Sequence, residues 1–258
     1  MALAINGIEE VNLMKRRDFV TYGAGASALV LTEPLKALPL DGSPFVEKPV
    51  ANGLPLEATE SGKIRVAIAI ADRATVIDFA GPWEVFQDVM IPSRGEDHST
   101  QMPFELFTVA ATAEPIRATA GLHIIPDYTV DDAPQPHLVV VPALRGNPAL
   151  HEWLAAVAPQ TDVTMSVCTG AFQLARAGLL DRQIATTHHD FYDAFAEQFP
   201  EIQLERGLRF VENKRISTAG GLTSGIDLSL RVVERYFGRA AAQQTADYME
   251  YTSRGWKV

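Results

Sequence analysis

The chain has 258 residues, 47% hydrophobic and 21% charged, with a formal charge of −10 and one cysteine. This is the composition of a globular chain with a core, enough for one large domain or two small ones, and it excludes a disordered chain. The acidic balance argues against a nucleic-acid backbone as partner. A single cysteine rules out an internal disulfide, no Cys/His cluster has zinc spacing, and no run approaches the roughly 20 apolar residues of a mature membrane-spanning helix.

In chain order, residues 14–39, "MKRRDFVTYGAGASALVLTEPLKALP", have a basic start and a short Ala- and Gly-rich apolar stretch. Arg16-Arg17-Asp18-Phe19-Val20 resembles a twin-arginine export signal, with Tyr22 to Leu31 as its apolar region. Residues 1–39 are therefore expected to direct the chain to the periplasm or outside, and a chain with a non-functional signal stays in the cytoplasm. Met14 is a candidate start, and no cysteine follows that would carry a lipid anchor at that point. Residues 40–61 have the Pro, Gly and polar composition of a linker. The first 61 residues carry 5 of the 22 Lys and Arg and 8 of the 32 Asp and Glu, so residues 62–258 keep a charge of −7 as one domain.

Ile64 to Ala71 is a continuous apolar, β-rich run, as expected of a strand buried on both faces. A helix is predicted over "GPWEVFQDVM", a strand over "FELFTVAA", and a hairpin-like excursion over "PIRATAGLHIIPDYTV" around Gly121. "HLVVVPA" predicts a third buried strand, "PALHEWLAAVA" a helix, and "TDVTMSV" a fourth strand that ends at Cys168. Helices are expected from about Thr169 to Ala177, with Gly178 as the stop, and from Phe191 to Phe199. Short strands follow through "IQLERGLRFVENKRISTA". Ser224-x-x-Asp227 has the spacing of a capping box on the long helix "SGIDLSLRVVERYF", and a last helix follows Gly238. Such alternation predicts an α/β three-layer sandwich with a mainly parallel sheet, whose sites form at the carboxyl ends of strands. Cys168 is at such an end.

A lone cysteine is most often a small buried hydrophobe. Here three local features point to a nucleophile. It closes an apolar strand, Gly170 permits a tight turn with the Thr169 hydroxyl as a local cap, and a helix N-terminus follows that favours thiolate over thiol. Strand–Cys–helix is the geometry of a nucleophile elbow.

"IDFAGPWEVF", "VPALRG", "SVCTGAFQLARAGLLDRQIATTHH" and "STAGGLTSGIDLSLRVVE" together resemble the ThiJ/PfpI superfamily of flavodoxin-like α/β proteins, over about Lys63 to Tyr251. Within it they are most similar to isonitrile hydratases and to sensor domains of AraC-like regulators. The resemblance implies Cys168 as nucleophile, Asp78 as a carboxylic acid with raised pKa from the turn after the first strand, and Thr169 beside them. Read as sequence alone, Asp78 is equally a helix N-cap, and Glu84 a first-turn structural carboxylate. The resemblance places His188 near the cysteine and Gly221 at a tight turn. It gives Ala143 and Leu144 where relatives commonly have Gly-Gly and use a backbone N–H in the oxyanion site. A left-handed conformation at Leu144 would be strained, and Arg145 would put charge at the pocket mouth. The protease-like branch has His where this chain has Thr169, which argues against proteolysis. His188, His189 and Asp193 could be imagined around a metal, but without a third ligand at plausible spacing no metal is expected.

Three functions follow as expectations: hydration of an isocyanide to an N-formamide, cofactorless glyoxalase action on an α-oxoaldehyde, and a non-catalytic ligand or redox sensor. All take a small molecule, no organic cofactor and no nucleic acid, since too few residues follow Tyr251 for a helix-turn-helix reader. A homodimer is implied by the resemblance alone.

Overall fold

The computed structural model describes residues 50–58 and 62–257, so the expected signal at 1–39 lies outside the described residues. Its strands are β1 (Val50–Gly53), β2 (Ile64–Ala69), β3 (Phe104–Ala110), β4 (Ile116–Arg117), β5 (His123–Ile124), β6 (Tyr128–Thr129), β7 (Leu138–Val141), β8 (Val163–Val167), β9 (Ile184–Ala185), β10 (Gln203–Leu204), β11 (Phe210–Lys214) and β12 (Ile216–Ala219). Its helices are α1 (Val76–Gln87), α2 (His98–Gln101), α3 (Pro148–Val157), α4 (Gly170–Arg176), α5 (Tyr192–Gln198), α6 (Ser224–Phe237) and α7 (Arg239–Tyr248).

One sheet in the order β1-β11-β12-β8-β7-β2-β3-β6 organises the domain. From β12 to β6 every neighbouring pair is parallel, and only the β11–β12 hairpin turns the chain round. Val66 to Ile70 in and after β2, and all of β7, are fully buried, because helices cover both faces and leave no solvated side to alternate towards. The crossover from β2 to β3 runs one way along the sheet and that from β7 to β8 the other. Right-handed connections therefore put α1 and α3 on opposite faces. α1 packs with α6 and α6 with α7 in one layer, and α3 packs with α4 in the other. This is the three-layer, mainly parallel sandwich expected from the sequence. The hairpin around Gly121 forms as well, as the antiparallel pair β4–β5.

Three expectations are corrected. Residues 50–53, inside the expected linker, form β1 parallel to β11, and Arg235 ties the next residues down by donating to the Leu54 carbonyl at 2.8 Å. The docked part of the domain thus reaches back to at least Val50. The first helix begins at Val76, not at Gly81, so the strand-to-helix turn is shorter than the Gly-Pro pair suggests. The capping box does not form: Thr223 occupies the N-cap without a side-chain capping bond, and Asp227 bonds to Arg209, Tyr251 and Ser253 instead.

Candidate active site

β8 delivers Cys168 to the carboxyl edge of the sheet, and α4 leaves immediately from Gly170. Cys168 adopts φ 59°, a left-handed conformation that costs a side-chain-bearing residue about 1 kcal/mol or more unless its surroundings fix it. They do so from two sides. Its N–H donates to the Gly220 carbonyl at 2.8 Å, and the Thr187 hydroxyl donates to its carbonyl at 2.9 Å. Thr169 takes the N-cap position of α4, but its hydroxyl makes no capping bond, contrary to the expectation.

Asp78 is the third residue of α1, not its cap, and is fully buried. Its Oδ2 accepts the Ala143 N–H at 3.2 Å, while Oδ1 has no hydrogen-bond partner among the described residues. Burial pushes its pKa up to about 6, although Ala143 N–H, the Cys168 thiol and Leu222 N–H each draw it part of the way back. The sulfur goes the opposite way from the expectation. Burial, and then the negative charge of Asp78, push the thiol up to about 12, against smaller lowering by the Thr169 and Leu222 N–H groups. The start of one short helix does not outweigh desolvation beside a carboxylate. At neutral pH the pair therefore holds one proton, on sulfur, and the adjacent carboxylate can receive it.

Ala143 and Leu144 follow β7 and are both buried. Ala143 N–H is spent on the Asp78 carboxylate, so it holds the acid and does not serve as a free oxyanion donor. Leu144 is not in a left-handed conformation, and its carbonyl accepts from Gln173 Nε2 at 3.3 Å; the feared strain is absent. Arg145 is exposed, with its N–H donating to the Asp72 carbonyl at 2.9 Å.

His188 lies against Gly221, in the loop whose Gly220 carbonyl accepts the Cys168 N–H. Its Nδ1 accepts the Asp190 N–H at 3.2 Å, its ring stacks on His189 at 4.4 Å, and burial keeps its pKa below the ordinary histidine value. A Cβ on Gly221 would lie 2.2 Å from the His188 ring, so glycine is what lets the loop approach it. Asp190 joins the two histidines on the surface, whereas Asp193 pairs with Arg206 at 2.7 Å. Glu84 is exposed and lies in the last turn of α1, not the first. Leu222 is the contributor that sequence reasoning missed. Its N–H acts on both Cys168 and Asp78, and it holds φ 53°, a conformation no leucine advertises in a sequence.

The profile of the DJ-1/PfpI family matches residues 64–235. The chain is 26% identical over 194 residues to isonitrile hydratase of Pseudomonas putida, covering 73% of this chain and 78% of that protein. It is 33% identical over 145 residues to the HTH-type transcriptional regulator CdhR of Pseudomonas aeruginosa, covering 54% of this chain and 43% of the regulator, so the match spans less than half of that relative. Among solved structures, a THiJ/PfpI family protein from Pseudomonas syringae superposes with a TM-score of 0.62 at 25% identity, over 78% of this chain and 79% of that one. An AraC family transcriptional regulator from Pseudomonas putida, at 18% identity and a TM-score of 0.61 over 72% of this chain and 98% of that one, shares the fold. With the elbow, the buried acid and the parallel sheet in place, the chain belongs to the DJ-1/PfpI family.

Proposed function

We propose that this protein hydrates an isocyanide to an N-formamide through Cys168 and Asp78. The observation that carries the reading is a buried thiol that keeps its proton beside a buried carboxylate, one of whose oxygens has no hydrogen-bond partner among the described residues. The terminal carbon of R–N≡C must gain both a nucleophile and a proton. The Cys168 thiol gives its proton to Asp78 as sulfur bonds to that carbon, and Asp78 then protonates the same carbon, leaving R–N=CH–S–Cys168. Asp78, again a carboxylate, takes one proton from water as the water oxygen adds to the thioimidate carbon, and the remaining hydroxyl proton passes to the imine nitrogen. Collapse breaks the C–S bond, returns the proton to sulfur and releases R–NH–CHO. Water is consumed and no net oxidation occurs. Attack on an isocyanide builds no oxyanion, which agrees with Ala143 N–H being committed to the acid. An α-oxoaldehyde would need such donors at its carbonyl oxygen, so the glyoxalase reading is weaker.

A second reading, a ligand-sensing domain without turnover, draws on two facts: the regulators of similar sequence and the thiol kept protonated at rest. The full 258-residue chain should be supplied with a simple alkyl isocyanide and, separately, with methylglyoxal, using Cys168→Ala as the blank. Formamide formed only with intact Cys168 is the expected result. Loss of methylglyoxal alone would move the protein to glyoxalase chemistry, and inactivity on both would leave the sensor.

A further inference from the structure

Asp227 is fully buried, lies in the first turn of α6, and has no part in the chemistry above. Its carboxylate gathers partners from two distant segments. Arg209 Nε donates at 2.6 Å, the Ser253 hydroxyl at 3.0 Å, and the Tyr251 hydroxyl lies 3.2 Å away. Gly255 passes so close that a Cβ there would come within 2.7 Å of Oδ2. The C-terminal residues are thereby strapped across the start of α6.

The same groups grip the loop before α6. The Arg209 side chain donates to the Thr223 hydroxyl at 3.2 Å, and its backbone carbonyl accepts the Gly220 N–H at 2.9 Å. Tyr251 shares its one proton between Asp227 and the Thr223 carbonyl, 3.3 Å away. Between these holds lie Gly221, pressed against His188, and Leu222 in its left-handed conformation. Gly220 in turn accepts the Cys168 N–H, so the loop is bonded directly to the backbone of the nucleophile. Left-handed residues relax unless their surroundings over-determine them, and here two consecutive grips do so at Leu222.

We propose that the C-terminal strap from Tyr251 to Gly255, acting through Asp227 and Arg209, positions the Gly220–Thr223 loop and through it the Leu222 N–H and the Cys168 backbone. These are positioning residues, and the inference rests on Cys168 as the reactive thiol, not on the isocyanide reading. Asp78 from α1 is the charged group facing the thiol, with His188 beyond Gly221, and neither is altered by the test.

The test is alkylation of Cys168 by iodoacetamide in the full chain, followed across pH. Tyr251→Phe should slow alkylation at pH 8 roughly fivefold, the factor of one neutral hydrogen bond, and move the pH profile upward. Arg209→Lys, which keeps the charge beside Asp227 but not the fork that reaches Thr223, should do the same and serves if the first variant folds poorly. Val233→Ala, a core truncation elsewhere in α6, should lower Tm while leaving alkylation at the wild-type rate. Wild-type alkylation profiles in both strap variants would overturn the proposal, as would equal slowing in Val233→Ala. Because the readout is the thiol and not turnover, these results stand apart from whether an isocyanide is ever hydrated.

Discussion

A Cβ on Gly170 would lie 2.0 Å from the Val141 carbonyl oxygen and 2.9 Å from that of Pro142. Both neighbours are backbone at the end of a central strand, so neither can swing aside. The glycine thus serves the seating of α4 on β7, which sets where Cys168 stands relative to Asp78. Gly170→Ala should cost about 3 kcal/mol, the upper end of what overpacking does. Urea unfolding checks this, and an alanine variant within about 0.5 kcal/mol of wild type would show the seat to be looser than its geometry.

Asp78→Asn separates two properties of the thiol. The negative carboxylate is one of the causes holding Cys168 up at about 12. Removing that charge favours the thiolate, so alkylation of Cys168 at pH 8 should become faster, by about tenfold for each unit of descent. Turnover should nevertheless fall by at least about 100-fold, since the asparagine can neither take nor return the proton. An asparagine variant that alkylated more slowly would place the carboxylate as a promoter of thiolate, opposite to the geometry.

The same residue sets a pH dependence of stability. Asp78 ionises near 3.8 when unfolded and near 6 when folded. The folded state therefore binds the proton more tightly, its advantage is complete below about pH 4, and it is lost as pH rises through 6. The amount is on the order of 3 kcal/mol. Urea unfolding from pH 4 to pH 7 should show this decline superimposed on the other titrations, and Asp78→Asn should lack it and be the more stable protein at pH 7.

Arg235 and Glu212 form a buried ion pair at 3.1 Å, with Arg231 donating to the other Glu212 oxygen at 2.9 Å. Arg235 also donates to the carbonyls of Leu54 and Lys214. Truncation to Arg235→Met takes the donor from Glu212 Oε1 and from two carbonyls, while Arg231 still pairs with the carboxylate, and should cost about 3 kcal/mol. Limited proteolysis should then cut within residues 50–58 first. Cleavage there at the wild-type rate would mean that β1 is held by its ladder with β11 alone.

The central strands were legible because burial on both faces leaves a signal every neighbouring residue repeats: Ile64–Ala69, Leu138–Val141 and Val163–Val167 fall inside the apolar runs that announce them. The long helix is legible for the related reason that its apolar and polar residues alternate at helical spacing from Ser224 to Phe237. β1 was not, because Val50–Gly53 read as a linker by composition, and its pairing depends on β11, some 160 residues away. The Ser224/Asp227 pattern misled for the same reason: a carboxylate at capping spacing was claimed by an arginine and two hydroxyls from other segments.

At the site the division is finer. The sequence alone determined that a cysteine ends a buried strand just before a glycine and a helix, and that an aspartate stands near the start of another, since both are matters of chain order and residue type. Only the tertiary structure decided that burial and Asp78 keep the thiol protonated, that Ala143 N–H holds the acid, and that Leu222 turns its N–H towards both. Desolvation and charge–charge proximity are properties of what surrounds a group in space, and residues far apart in the chain supply them.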